Sequence, residues 1–285
     1  MQISLNTSKW WQNVWAALIF FTRLPFWRIY QPPKDSYKAV VEYWPLVGWL
    51  TGGIMAAVIY FGSMIMPHHI AILSAIVIRI FITGALHEDG LTDFFDGFGG
   101  GGNDRQRILD IMKDSRIGTY GMLGIIFYIL LLYSALSSLP VPLAALTVVA
   151  ADPYAKMIAA QIIEMMPYAR TEEESKAKNI YRKFNISAGL SLTMQGILPL
   201  CLFFYYTKGV IDWRLVVFVP CIVMYFMYAL IWKRLRGYTG DCCGALFLLI
   251  ELSFYLTVMI LWFTLMRSTD SDTNQIIYNL FYNNN

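Results

Sequence analysis

The chain has 285 residues, of which 57% are hydrophobic and only 14% charged. Soluble domains carry about 25% charged residues, so this composition excludes an ordinary soluble protein and points to one embedded in a membrane. A net charge of +3 is too small to suggest a nucleic-acid partner, and four cysteines without a CxxC pair indicate neither a disulfide framework nor a zinc site.

In chain order, Lys9 to Phe21 (KWWQNVWAALIFF) is too short and too rich in Trp for a span, and suits an amphipathic helix lying in the membrane interface. Proline disfavours helical geometry in the residue before it, so Thr22 to Pro25 ends that helix. The apolar stretch runs into Arg23 without a small-residue cleavage site, so no cleavable signal peptide is expected. Residues 26–44 carry Pro32 and Pro33 and read as a loop, which makes 1–44 an interfacial N-terminal region.

Seven apolar runs follow, approximately Pro45–Met66, Ile70–Leu86, Met122–Leu139, Val141–Ile163, Ile186–Tyr206, Trp213–Trp232 and Gly244–Met266. Each is near the roughly 20 residues that a helix needs to cross the hydrocarbon. The expected fold class is therefore all-α: a polytopic integral membrane helical bundle of about seven transmembrane helices plus the N-terminal interfacial helix. One domain covers 1–285, ending in a polar tail over 267–285. Seventeen Lys and Arg fall in the segments on one side of this arrangement and three (Lys208, Arg214, Arg267) on the other. The positive-inside rule then puts the N-terminus and the polar segment 87–121 on the cytoplasmic side of the cytoplasmic (inner) membrane.

Four ionisable residues, Arg79, Asp152, Lys156 and Glu251, fall within the runs and are expected to face the bundle interior or a wet cavity. Asp152 and Lys156, four apart, are placed to neutralise each other, with a catalytic role the competing reading. Arg79 could hold a carboxylate or a phosphate, and Glu251 could orient a ligand-binding residue. His87 beside carboxylates reads as a hydrogen-bond partner, and His68 and His69 as bystanders in a far-side turn. The loop from Arg170 to Lys183 reads as a solvated face.

Between the second and third runs lies His87 to Gly121, HEDGLTDFFDGFGGGGNDRQRILDIMKDSRIGTYG, with seven of the nineteen carboxylates. Glu88, Asp89, Asp93 and Asp96 occur there before any Lys or Arg. In a helix, Asp89, Asp93 and Asp96 share one face at i, i+4, i+7, where like charges repel. Divalent metal removes that objection, since Mg²⁺ prefers carboxylate oxygens. The run Gly99 to Gly102 gives a pliable turn, after which Asp110 and Asp114 repeat the i, i+4 spacing among Arg105, Arg107, Lys113 and Arg116. Carboxylate-held metal facing cations is the equipment of phosphoryl transfer. The competing reading is a solvated loop. Such loops usually alternate sign, whereas this one begins with acids alone at helical spacing, which favours the metal.

HEDGLTDFFDG with its glycine run and RILDIMKDSRIGTYG resembles the cobalamin-5'-phosphate synthase (adenosylcobinamide-GDP ribazoletransferase) family. FFTRLP at Phe20–Pro25, YWPLVGWLTGG at Tyr43–Gly53, PYAR at Pro167–Arg170 and GYTGDCCGA at Gly237–Ala245 extend the similarity over most of the chain. The resemblance implies transfer of the cobinamide phosphate moiety of adenosylcobinamide-GDP to α-ribazole or its 5'-phosphate, with release of GMP. Joined to the charge logic, it implies Asp89, Asp93, Asp96 and Asp110 as Mg²⁺ ligands and Glu88 or Asp114 as acceptor of the hydroxyl proton. Arg107, Lys113, Arg116, Arg170 and Asp241 are then substrate-binding residues. The lipid bilayer is the surrounding partner, a homo-oligomer is left open, and no nucleic acid is expected.

A weaker similarity runs to the CDP-alcohol phosphotransferases of phospholipid synthesis. Asp93 to Gly97 fits their DxxDG and Asp110 to Asp114 their later DxxxD, but the Ala-Arg after the glycine is absent and Gln106 stands at the later Gly. A cation-coupled transporter is the reading from another class. Its sites would lie near the bilayer midplane, whereas these acids cluster at a helix end.

Overall fold

The computed structural model describes residues 9–170 and 181–267, so the tail 268–285 and most of the loop after Arg170 lie outside the described residues. An N-terminal helix α1 (Trp10–Phe21) is followed by a 3₁₀ run over Lys34–Tyr43 that continues into α2 (Trp44–Gly62). Then come α3 (His68–Thr83), α4 (Leu86–Gly100), α5 (Arg105–Lys113), α6 (Thr119–Ser137), α7 (Val141–Ala160) and the single turn α8 (Ile162–Met165). Three long helices complete the bundle: α9 (Ile186–Tyr206), α10 (Trp213–Leu235) and α11 (Gly240–Arg267). The described residues contain no β-strand, only one isolated backbone bridge between Tyr168 and Tyr238.

Among the described residues, six helices are long and apolar enough to cross a membrane, or seven if the bent pair α3–α4 makes one span. The protein is a polytopic all-α membrane bundle. Its outer surface carries large apolar side chains, such as Phe127 and Leu130 on α6 and Phe218, Ile222 and Phe226 on α10. Lipid is the natural neighbour of such a surface.

Three boundaries differ from the sequence expectation. The run Ile70–Leu86 is not one helix: α3 stops at Thr83, Gly84 and Ala85 take left-handed φ of 64° and 56°, and α4 leaves at 90°. Residues expected as an interfacial loop before Trp44 instead form the 3₁₀ run, with Ala39, Val40 and Val41 buried. The run expected from Gly244 is helical already from Gly240, which puts Asp241 in the first turn of α11.

Close packing at the centre depends on α2 and α7. Gly48 and Gly52 of α2 lie directly against Asp152 and the backbone of Val148 and Pro153. Asp152 accepts from Thr51 Oγ1 at 2.7 Å and is paired with Lys156, which lies 3.9 Å from the Phe247 ring centroid. Mutual neutralisation, expected from the spacing of Asp152 and Lys156, is what the geometry gives. Arg79 donates twice to Glu251, at 2.6 and 2.8 Å, and once to Tyr128 Oη, while Tyr255 Oη donates to Glu251. Both charged pairs are fully enclosed, so each charge has its counter-charge within the low-dielectric interior.

Candidate active site

The acidic segment is helical, as its spacing predicts. The bend at Gly84 starts α4 beside the Phe20–Pro25 motif: the Arg23 N–H donates to Ile82 O at 2.6 Å, and the Arg23 side chain covers Gly84 so closely that a Cβ there would lie 2.3 Å from Nε. Glu88, Asp93 and Asp96 are buried, whereas Asp89 is exposed. One oxygen of Glu88, Oε2, is buried without a hydrogen-bond partner.

Asp96 has a specific task. Its Oδ2 accepts from the Gly118 N–H at 2.7 Å and its Oδ1 from the Gly121 N–H at 2.8 Å. These are amides at the start of α6, which have no partner within their own helix. A Cβ on either glycine would come within 2.4 Å of the carboxylate, which accounts for the spacing in GTYG. The pair of bonds latches α6 onto α4.

On α5, Asp104 caps the helix through the Gln106 and Arg107 amides. Asp110 is exposed and accepts from Gln106 Nε2 at 3.0 Å. Asp114 ends the helix in a two-oxygen clasp with Arg116, at 2.6 to 3.1 Å. That clasp holds its carboxyl down at about 2. Arg107, Lys113 and Arg116 are exposed.

Two distant motifs meet above α4. The Ala169 N–H donates to Tyr238 O at 2.8 Å and the Tyr238 N–H to Pro167 O at 2.9 Å, joining PYAR to GYTGD. Arg170 Nη2 reaches Leu109 O of α5 at 2.8 Å. The first turn of α11 lies directly on α4: a Cβ at Gly90 would be 3.1 Å from the Asp241 backbone, and one at Gly244 3.2 Å from His87 O.

These contacts enclose a cavity of about 120 Å³, lined among others by Asp89, Arg170 and Asp241, by Tyr168 and Tyr181, and by Phe21, Trp44 and His87. The first turns of α4 and α11 contribute, and helix N-termini favour anions; Trp44 also lines the cavity, but its backbone N–H is already bonded to Val41 O of the 3₁₀ run. Of the residues expected from sequence, the structure thus brings together Asp89, Arg170 and Asp241. Arg107, Asp110, Lys113, Asp114 and Arg116 stay on α5 and the turn after it, and do not line this cavity.

Among the described residues, no three His, Cys, Asp or Glu side chains gather closely enough to hold an ion by themselves. Asp89, Asp93 and Asp96 share a helix without converging, because Asp96 turns to α6. The donor chemistry still fits Mg²⁺, which is usually bound through one or two carboxylates with water and substrate phosphate completing its shell.

Sequence reasoning overlooked Trp44 and misjudged His87. His87 packs in an aromatic stack instead: its Nε2 is buried without a hydrogen-bond partner, and its ring lies near-parallel to Trp44 (5.7 Å, 13°) and Phe21 (6.1 Å, 11°). The available signal was the position of Trp44 and His87, each at the junction of a loop motif and an apolar run.

The family model for cobalamin-5-phosphate synthase matches residues 13–259. This chain belongs to that family. The match takes in every motif that builds the cavity, from Phe20 to Ala245. Curated relatives include the adenosylcobinamide-GDP ribazoletransferase of Leptospira interrogans, 33% identical over 88% of this chain and 96% of the relative. Those of Vibrio parahaemolyticus and Shewanella amazonensis are each 37% identical, over 85% and 86% of this chain and 90% and 94% of the relatives. No solved structure matches. As a member of the cobalamin-5-phosphate synthase family, the chain is a transferase of cobalamin synthesis.

Proposed function

We propose that this synthase joins adenosylcobinamide-GDP to α-ribazole or its 5'-phosphate with release of GMP, using Mg²⁺ at the cytoplasmic face of the inner membrane. The observation carrying this reading is the cavity where Asp89, Asp241 and Arg170 meet the first turns of α4 and α11. It places carboxylates, a guanidinium and helix N-termini around one space, as a diphosphate with its counter-ion requires. Lys and Arg concentrate on that same side of the bundle.

In the reaction, a ribazole hydroxyl forms a bond to the phosphorus nearer the corrinoid, and the bond from that phosphorus to the bridging oxygen breaks. GMP carries away the electron pair. Asp89, which lines the cavity, and Asp93, one turn further along α4 and outside that lining, would hold Mg²⁺, which supplies charge neutralisation at the phosphate oxygens when bound. Arg170 orients the diphosphate from the opposite wall, and Arg107 and Lys113 on the neighbouring α5 attract it. Of the two candidate bases, Glu88 keeps a buried oxygen without a partner, whereas the Asp114 clasp with Arg116 makes it a weak proton acceptor. Asp96 acts as a positioning residue through α6.

Purified protein given adenosylcobinamide-GDP, α-ribazole 5'-phosphate and Mg²⁺ should release GMP in step with joined corrinoid. Omitting the ribazole should stop most release, because water is a poor substitute for an oriented hydroxyl. Asp93→Asn should abolish transfer while leaving the fold intact. CMP release from CDP-diacylglycerol with a lipid-alcohol acceptor, and no product from the corrinoid pair, would overturn the reading.

A further inference from the structure

The inner wall of the cavity differs from its charged rim. Phe21, Val41, Trp44, Leu86, His87 and Cys243 line it. Phe21, Trp44 and His87 are near-parallel, with interplanar angles of 11° to 13°. Trp44 and His87 are 2% and 3% exposed, yet Trp44 Nε1 and His87 Nε2 are both buried without a hydrogen-bond partner. An indole N–H only donates, so the complement of Trp44 is an acceptor atom on an otherwise apolar, flat body.

Resting on the function proposed above, we infer that this wall holds the base of the acceptor nucleotide, with the Trp44 indole N–H donating to the base's unprotonated ring nitrogen. A benzimidazole ring is flat, apolar on both faces and carries one such nitrogen. Guanine, the competing occupant, presents several N–H donors along its edge and would need strong acceptors there, whereas the wall's hydrogen-bonding groups are one indole N–H, one imidazole nitrogen and the weakly bonding Cys243 thiol. The His87 ring, held parallel to Trp44 and packed edge-on against Phe247 (4.8 Å, 66°), fixes the plane in which the base is received. Asp89, Asp241 and Arg170 then lie at the mouth, where the sugar and phosphates emerge.

The test compares α-ribazole 5'-phosphate with the isostere in which C–H replaces the acceptor nitrogen, in wild type and in Trp44→Phe. Wild type should show a KM about tenfold higher for the isostere, the size of one net hydrogen bond. Trp44→Phe should raise the KM for α-ribazole 5'-phosphate by about the same factor, abolish discrimination between the two, and leave the KM for adenosylcobinamide-GDP unchanged. A rise confined to the KM for adenosylcobinamide-GDP would assign the wall to guanine and overturn the inference. The wild-type arm does not depend on the variant folding: equal KM values for nucleotide and isostere also overturn it. Turnover of neither nucleotide by wild type would instead refute the underlying reaction.

Discussion

Asp96→Ala separates a structural latch from a metal ligand. Asp96 is 8% exposed and receives two amide protons, from Gly118 at 2.7 Å and from Gly121 at 2.8 Å. Hydrogen bonds to a charged group contribute roughly 1.5–3 kcal/mol each when buried. Gly121 is buried, so its bond takes the upper part of that range, whereas Gly118 is exposed and water replaces most of what it loses. The sum is about 3 kcal/mol of local stability, or roughly a hundredfold faster exchange of the Gly121 amide. Hydrogen exchange in detergent with Mg²⁺ chelated reads this directly, because a role limited to metal binding has no effect once metal is gone. Unchanged protection at Gly121 in the chelated variant would refute the latch. Increased protection would mean that Asp96 repels its acidic neighbours more than it holds α6.

Glu251→Gln leaves Arg79 charged and uncompensated in the core, and should cost about 3–5 kcal/mol; thermal unfolding in detergent should show it, and Arg79→Met with Glu251→Leu should recover most of the loss. Asp114→Asn should leave the acid limb of the kcat/KM profile unchanged between pH 4 and 8. The Arg116 clasp keeps the Asp114 carboxyl ionised down to about pH 2, so its contribution is present above the ordinary carboxylate range and disappears only as pH falls through about 2. A single cysteine at Asn103, in a cysteine-free background, should resist membrane-impermeant thiol reagents in intact cells while one at Lys208 reacts; the reverse pattern would invert the proposed orientation.

The helices were legible because apolar length and helical spacing are properties of contiguous residues. Seven runs and the acidic helix could be read from one stretch at a time. The bend at Gly84 was hidden by the apolar run that continues to Leu86, although a glycine there is an ordinary helix terminator. Which acids face the cavity was not legible, because it depends on pairs far apart in sequence. Asp96 is claimed by Gly118 and Gly121, whereas Asp89 and Asp241 line one cavity because Gly90 and Gly244 let two helices touch. Arg79 and Glu251, separated by 172 positions, read as even candidates for structure or function until their two hydrogen bonds are seen. Trp44 drew no notice because an aromatic residue at a membrane boundary is unremarkable by composition.

The crossing of α4 and α11 also sets a problem of timing during biosynthesis. The ribosome makes the acid-bearing helix about 150 residues before the helix that covers it, an interval of roughly 8 to 30 s at ordinary rates of elongation. Through that interval the His87–Gly90 turn lacks the cover of α11, and the right-angled turn at Gly84 lets the acids that follow wait at the edge of the bilayer without being threaded into hydrocarbon. Straightening that turn, for example by a β-branched residue at Gly84, should therefore act at insertion. The product would be missing from the membrane fraction, not present and inactive, and pulse-chase labelling would distinguish the two.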